Sequence, residues 1–288
     1  MDVYKMVTDR IISMLEQGDI PWNRPWTGAG SWAIKRVTGK PYSLLNQLLL
    51  ETPGEYLTWY QCKEEGGHVK KGAKSKIVVF FKMLPKPRVN EKGTAVLGTD
   101  GEPIIDQIPF LQYSNVFHID DCEGLKPKHY EEVLRDFDPV EKAENVIADY
   151  SARSGVVVEH EHQGRAYYSP FLDKVVLPLR EQFRGEAEYY ATAFHELTHS
   201  TGHSSRLKRI KDGTHFRDES YSKEELVAEM GSATIMNVLG LETDSSVRNN
   251  VAYIQSWIKA LRNDKRLIVT AASQAGKAVN LIMPGVVG

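Results

Sequence analysis

Hydrophobic positions in the first quarter of the chain follow helical spacing, then give way to a short apolar run. Residues 2–17 predict an amphipathic helix whose buried side contains Val3, Met6, Val7, Ile11, Met14 and Leu15. Residues 43–50 and 58–66 predict two further helices, and residues 77–83 predict a strand after a basic turn. The pattern therefore indicates a small domain that mixes helices and strands.

Turn-forming residues interrupt the centre of the chain. Proline and glycine are frequent between residues 84 and 106, which predicts a long hairpin loop or a mobile insertion before a second strand at 110–119. We expect the two strands to pair across this insertion. Residues 126–139 predict a linker, so we place one domain at 1–125 and another at 140–288.

The second half predicts helices near its start, middle and end, with short strands before the middle helix. The predicted helices are 140–154, 185–201 and 251–261, and the predicted strands are 156–161, 166–169 and 171–179. Strands placed directly before the middle helix can hold an extended substrate beside it. The fold class that follows from both halves is a two-domain α+β protein.

Composition and charge narrow the setting. The 288 residues are 41% hydrophobic, as in ordinary folded proteins, and no apolar run is long enough to cross a membrane. Two cysteines far apart in sequence do not form a disulfide framework, which favours a reduced, cytoplasmic setting. The net charge of −2 is unevenly distributed, because residues 1–90 carry 14 Lys and Arg against 8 Asp and Glu. A nucleic-acid surface is therefore expected in the N-terminal part.

The strongest chemical signal is the sequence HELTH at residues 195–199. Positions i and i+4 of a helix share a face, so His195 and His199 can bind one metal ion. Glu196, beside that face, can act as the general base that takes a proton from the attacking water. Zinc is the default metal for such ligands, although another divalent ion such as Mn²⁺ could occupy them.

The third ligand must come from another segment. Some zincins place a histidine three residues after a glycine that follows the motif, but Ser205 occupies that position here. The sequence KEELVAE at residues 223–229 instead resembles the ligand helix of glutamate-zincins, in which a second acidic residue follows the ligand by four positions. That resemblance implies Glu225 as the ligand and Glu229 as the residue that orients a histidine. The opposite assignment of these two glutamates stays open.

Aromatic residues interleaved with cations occur in the N-terminal half. Single-stranded DNA needs such a surface, because bases stack on aromatic rings while cations contact the phosphates. The alternative interpretation is that the tryptophans pack a small core and the lysines are only solvated. The candidate DNA contacts are Trp22, Arg24, Trp26, Lys40, Tyr42, Lys70, Lys71 and Lys74.

Spaced motifs over nearly the whole chain resemble the ArdC-type antirestriction proteins. The N-terminal motifs are PW at 21–22 and at 25–26, TGKPY at 38–42, GGHVKKG at 66–72 and NVF at 115–117. The C-terminal half is similar to the zincin-like domain of these proteins through residues 195–199 and 223–229. The resemblance implies a protein of conjugative plasmids or mobile elements that binds single-stranded DNA and protects incoming DNA from restriction endonucleases. Its metallopeptidase-like domain would act on DNA-bound proteins, such as a restriction enzyme or a crosslinked protein.

Other functions use the same residues differently. The metal site could be structural or catalytically idle, so that protection comes from occupying the DNA. The chain could also be primarily a metallopeptidase, with antirestriction as a secondary effect or with a basic N-terminal domain that selects protein substrates. A complete ligand set together with Glu196 favours an active site over an idle one.

Overall fold

The structure is a computed structural model of the chain. It describes residues 2–23, 32–90, 93–98, 100–129, 139–210, 219–241 and 251–287. The described residues of the N-terminal part include three α-helices: α1 (Val3–Glu16), α2 (Leu44–Leu50) and α3 (Trp59–Glu64). Each lies within a segment that the sequence predicted as helical. Side chains stabilise two of the helix starts, since Asp2 accepts the backbone N–H of Lys5 and Thr58 forms a capping box with Gln61.

The N-terminal strands form one four-stranded sheet and one small ribbon. The sheet has the order β1-β2-β5-β4, and the ribbon pairs β3 with β6. The strands are β1 (Ala33–Lys35), β2 (Gly54–Leu57), β3 (His68–Val69), β4 (Lys76–Pro87), β5 (Ile105–His118) and β6 (Cys122–Glu123). Helix α2 packs against β4 and places its apolar residues between the sheet and the C-terminal helices.

The hairpin formed by β4 and β5 is longer than the sequence predicted. Its antiparallel register runs from Lys76 opposite Val116 to Pro87 opposite Ile105, so the two strands do pair as expected. Residues 84–87 and 105–109, however, are strand and not loop. The prolines are tolerated because they occupy alternate positions whose backbone faces away from the partner strand, where no ladder hydrogen bond is lost.

The C-terminal part surrounds a three-stranded sheet with helices. Its sheet has the order β7-β9-β8, with β7 parallel and β8 antiparallel to the central strand. The elements are α4 (Pro139–Ser154), β7 (Val157–Glu161), β8 (Tyr167–Ser169), β9 (Lys174–Pro178), α5 (Glu186–Ser200), α6 (Glu219–Leu239), α7 (Val251–Asn263) and α8 (Leu267–Ile282). The sequence analysis missed α8, an alanine-rich helix whose exposed polar residues Thr270, Ser273 and Lys277 form a narrow stripe, while most of its other residues are apolar and buried. Among the described residues, no helix has the length and hydropathy of a membrane span.

One hydrophobic core extends across both domains. Residues Val7, Ile11 and Leu15 of α1 belong to the same buried cluster as α5, α6 and α8. Trp22 is only 1% exposed, and its ring lies 5.2 Å from the ring of Trp257 in α7, edge to face. The helix that begins the chain therefore packs mainly against helices that end it.

The start of the predicted linker is attached to the N-terminal sheet. Glu55 in β2 is fully buried and forms an ion pair with Arg36. The same carboxylate accepts the backbone N–H groups of Lys128 and His129, and Arg36 Nη1 donates to the carbonyl of Lys126 at 2.9 Å. Residues 126–129 are thus held in place by a buried charge pair, whereas residues 130–138 of the predicted linker lie outside the described residues.

Candidate metal centre

Helices α5 and α6 pack closely, and this packing positions the candidate ligands. Gly231 of α6 faces Thr198 of α5 so closely that an added Cβ would lie 2.6 Å from Thr198 Cγ2. In the same crossing, the buried Ser232 hydroxyl donates to the Ala191 carbonyl at 2.7 Å. Only glycine allows this approach, which brings the first half of α6 against the HELTH face of α5.

His195, His199 and Glu225 converge with their ligand atoms within 4.8 Å of one another. The two Nε2 atoms are 3.1 Å apart, and Glu225 oxygens lie 3.2 Å from His199 Nε2 and 3.6 Å from His195 Nε2. Ligand atoms bound tetrahedrally at about 2.1 Å from a metal ion are separated by about 3.4 Å. The donor set and its spacing therefore fit a divalent ion with an open fourth position.

Each histidine also has a carboxylate on its Nδ1 side. Glu229 Oε1 lies 3.8 Å from His195 Nδ1, in the orienting position that the sequence suggested for it. Glu224 Oε1 lies 3.4 Å from His199 Nδ1, and this partner was missed by the sequence analysis. A carboxylate hydrogen-bonded to Nδ1 fixes the ring orientation and keeps Nε2 available to a metal ion. Glu224 lies within hydrogen-bond distance of His199, whereas Glu229 makes a longer ion-pair contact with His195. The sequence contained no signal for Glu224, because it is adjacent to Glu225 and has no helical spacing to the other acidic residues.

Arg209 links Glu224 to the end of α5. Its guanidinium donates to both carboxylate oxygens of Glu224, at 3.0 and 2.7 Å, and is almost fully buried. It also donates to the carbonyl of Thr198 at 2.9 Å and to the hydroxyl of Thr201 at 2.8 Å. One residue thus satisfies a carbonyl in the last turn of α5 and holds the carboxylate that faces His199.

Acidic groups dominate the electrostatics of the centre. Burial lowers the pKa of His199, but hydrogen bonds with Glu224 and Glu225 outweigh burial and raise it to about 10. Burial would raise the pKa of Glu225, yet its contacts with both histidines hold it well below the usual range. The negative charge of Glu196 also raises the His199 pKa, which places that carboxylate close to the centre. This excess of negative charge stabilises a cation in the centre.

The small sheet lies beside α5, the helix that carries two of the candidate ligands. Glu196 is half-buried, and α5 packs against β8 and β9. Strand β8 pairs only with β9 in the described part of the chain, so its other edge is available to an extended chain. An extended chain added at this edge would run beside α5, the helix that carries Glu196, His195 and His199.

The candidate DNA contacts divide into three groups. Lys40, Lys70, Lys71 and Lys74 are exposed, as a phosphate contact requires. Two aromatic candidates were wrong: Trp22 is packed against Trp257, and Tyr42 is 8% exposed, with burial raising its pKa to about 12. Neither ring has a free face on which a base could stack. Arg24 and Trp26 lie outside the described residues.

Comparison with known proteins gives matches over both domains. The profile of the N-terminal domain of anti-restriction factor ArdC matches residues 1–117, and that of a zincin-like metallopeptidase matches residues 141–274. The metal-free crystal structure of antirestriction ArdC protein from plasmid R388 is 35% identical with a TM-score of 0.73, covering 99% of this chain and 98% of that chain. Its Mn(II)-bound structure is 34% identical with a TM-score of 0.74, over the same shares of both chains.

Relatives of known sequence match over almost the whole chain as well. A DNA primase TraC of Escherichia coli is 34% identical over 97% of this chain, but the chain spans only 27% of the length of that primase. Protein y4eC of Sinorhizobium fredii (strain NBRC 101917 / NGR234) is 30% identical over 95% of this chain and 89% of its own length. With both domain profiles matched and the ArdC structures covered from end to end, this two-domain α+β chain belongs to the ArdC antirestriction family.

Proposed function

We propose that this protein protects incoming DNA from restriction endonucleases by binding single-stranded DNA and cleaving a protein associated with it. The observation that carries the enzymatic part is the convergence of His195, His199 and Glu225 at distances suited to a divalent ion, beside Glu196. Membership of the antirestriction family supports the protective role. The protein substrate would be a restriction enzyme or a protein crosslinked to DNA, and the protein would act in the cytoplasm of the recipient cell.

The residues of the centre have separate roles in this proposal. His195, His199 and Glu225 hold the metal, Glu229 orients His195, and Glu196 serves as the general base. When bound, the ion supplies Lewis acidity toward a peptide carbonyl and lowers the pKa of water. We expect zinc, because two imidazoles and a carboxylate suit its tetrahedral preference, while the Mn(II) bound by the R388 relative makes manganese the alternative.

DNA binding is assigned to the N-terminal domain. The basic turn between β3 and β4 exposes Lys70, Lys71 and Lys74 together, and Lys40 is exposed in the turn after β1. Clustered lysines attract the phosphates of nucleic acid, and this attraction depends steeply on salt. We therefore expect the affinity for an oligonucleotide to fall strongly between low and moderate salt.

The decisive test compares wild type with Glu196→Gln and His195→Ala in cells that take up DNA cut by a resident restriction enzyme. Glu196→Gln should retain metal and thermal stability but lose protection, because the base is absent and a general base contributes about 10²–10⁴-fold to rate. His195→Ala should lose both metal and protection, since a ligand is missing. Metal content is measured on the purified proteins by elemental analysis.

Full protection by a metal-loaded Glu196→Gln protein would refute the peptidase part of the proposal. In that case, a triple Lys70→Glu, Lys71→Glu, Lys74→Glu variant shows whether occupying the DNA is sufficient. Loss of protection in this variant would assign the function to DNA binding alone. Retention of protection by both variants would contradict the whole proposal.

A further inference from the structure

A groove of about 590 Å³ lies between β4 and α8, so residues of both domains line it. Its floor is apolar and includes Leu45, Val79 and Leu111, with Ala272 and Gly276 on the side of α8. A volume of this size is typical of sites that bind small organic molecules or parts of larger ligands. The groove lies outside the metal centre, and none of the candidate ligands lines it.

The charged residues of the groove are all cations. Lys35 and Lys277 are exposed on opposite sides of it, and the lining residues include no Asp or Glu. Lys35 lies 5.4 Å from the centre of the Tyr42 ring. Among the described residues, neither lysine has a carboxylate within ion-pair distance, whereas Lys76 nearby pairs with Glu51. An apolar floor flanked by unpaired cations suits a ligand with flat apolar parts and negative charges.

Phe80 lies on the opposite face of β4 from Val79, so the groove reaches both faces of the sheet at the edge strand β4, and aromatic residues extend it along the face of Phe80. Phe80 lines the groove and is 46% exposed. Two positions along β4, Lys82 lies directly opposite Phe110 of β5, which is 50% exposed. Side chains at alternate strand positions and at paired positions share one face of a sheet. Phe80, Lys82 and Phe110 therefore form one exposed patch of two aromatic rings and a cation, and Lys82 has no described acidic partner.

The free edge of β4 is poorly suited to a protein strand. The amide of Asn46 binds both the N–H and the C=O of Val79, so the outward backbone groups are already satisfied there. Outward groups recur at alternate residues, and Pro85 and Pro87 occupy two of those positions without an N–H. Between Val79 and Pro85, only Phe81 and Met83 have an outward backbone N–H and C=O that could pair with another strand. Two residues are too few for strand addition, which disfavours a β-strand as the occupant.

We infer that this groove and the Phe80–Lys82–Phe110 patch together bind single-stranded DNA. One base enters the groove, Lys35 and Lys277 contact the phosphates beside it, and neighbouring bases stack on Phe80 and Phe110. The inference rests on the proposed function and makes it more specific, because it assigns part of the DNA site to the C-terminal helix α8. Charge complementarity and exposed aromatic rings are the two requirements of single-strand binding.

The test measures binding of the full-length protein to a fluorescent oligothymidylate by anisotropy at several salt concentrations. Lys35→Ala with Lys277→Ala should weaken binding about tenfold at low salt. The same variant should reduce the salt slope by about 1.4, because each single-strand phosphate contact contributes about 0.7. Phe80→Ala with Phe110→Ala removes two stacking rings and should weaken binding about 30-fold or more, and it should leave the salt slope unchanged, since stacking releases no counterions.

Matched control variants show whether a loss of affinity comes from the groove and the patch or from removing any two lysines or any exposed aromatic ring. Lys142→Ala with Lys259→Ala removes two exposed lysines from α4 and α7 outside the groove, and Phe171→Ala removes a ring that is 96% exposed in the turn between β8 and β9. We expect wild-type affinity and slope from both. All substituted side chains are exposed, so thermal unfolding should be unchanged and each variant remains interpretable.

Outcomes distinguish this inference from the proposed function. If wild type binds the oligonucleotide and the groove variants bind equally well, the inference is wrong and the DNA-binding proposal stands. If wild type does not bind, both are wrong. Heparin, a polyanion without bases, is compared with unlabelled oligothymidylate as a competitor at equal charge concentration. If heparin competes equally well, binding depends on charge alone, and the assignment of base stacking to Phe80 and Phe110 is wrong. Tight binding of an acidic, aromatic peptide in place of the oligonucleotide would assign the groove to a protein partner.

Discussion

At the scale of single residues, the metal centre depends on the carboxylates near the Nδ1 atoms of the histidines as much as on the ligand atoms that face the metal position. Glu224 is held by Arg209 in a geometry that leaves one oxygen 3.4 Å from His199 Nδ1. This contact fixes the imidazole with Nε2 toward His195 and Glu225. A neutral amide in place of the carboxylate keeps the shape but removes the charge that favours a cation.

Glu224→Gln is therefore expected to weaken metal binding about 10- to 100-fold. It should also lower thermal stability, because the buried Arg209 loses its charged partner. The measurement is competition with a chromophoric chelator. Glu186→Gln, which makes the same charge change at an exposed position of α5, is the control and should bind metal like wild type. Unchanged affinity in Glu224→Gln would mean that the carboxylate serves only its ion pair with Arg209.

At the scale of elements, the crossing of α5 and α6 determines whether a third ligand reaches the histidines. Glu225 and Gly231 belong to the same helix, and Gly231 sets how closely that helix approaches α5. Alanine in a helix is favoured over glycine by about 1 kcal/mol, whereas overpacking costs about 1–3 kcal/mol. With a contact of 2.6 Å to a buried threonine, the overpacking cost prevails.

Gly231→Ala should therefore lower both the unfolding midpoint and the metal affinity, because α6 must move away from α5. Replacing Thr198 by alanine in the same protein removes the opposing methyl and hydroxyl groups and should restore much of both. Gly276→Ala in α8 is the matched control, since its Cβ would meet neighbours only at 3.7 Å. Calorimetry and metal titration measure the two quantities, and a Gly231→Ala protein with wild-type values would contradict the argument.

At the scale of the whole molecule, the two domains share a core and should unfold together. Trp22 comes from the N-terminal region, yet it contacts Trp257 in α7, and Asn237 of α6 donates to its backbone carbonyl at 3.4 Å. Thr8 of α1 donates to the carbonyl of Lys265, between α7 and α8, at 2.8 Å. These contacts join segments more than 200 residues apart, so loss of one domain removes packing from the other.

Trp22→Ala is expected to cost about 3–5 kcal/mol of stability, the usual range for a buried aromatic residue. The unfolding transition should shift to lower temperature as a single step. Trp59→Ala, at a site that is 48% exposed, should leave the midpoint nearly unchanged. Differential scanning calorimetry checks both, and two separate transitions in wild type would show that the domains unfold independently.

The sequence by itself determined the local features. Helical periodicity predicted α1 and the HELTH helix, and short apolar runs beside turns predicted the hairpin strands, because these patterns depend on neighbours within a few residues. The spacing of His195 and His199 predicted their convergence for the same reason, since i and i+4 share a helix face whatever the fold. Family-specific motifs added the two-domain organisation, which the comparisons confirm.

Tertiary structure decided everything that depends on distant partners. Trp22 and Tyr42 resembled a DNA surface in sequence, but contacts with α7 and within the sheet bury them. The same cause explains why Glu224 and the groove beside α8 could not be predicted, because they arise only where separate helices meet. Local sequence specifies backbone periodicity, whereas burial and the convergence of charges are determined by packing between segments far apart in the chain.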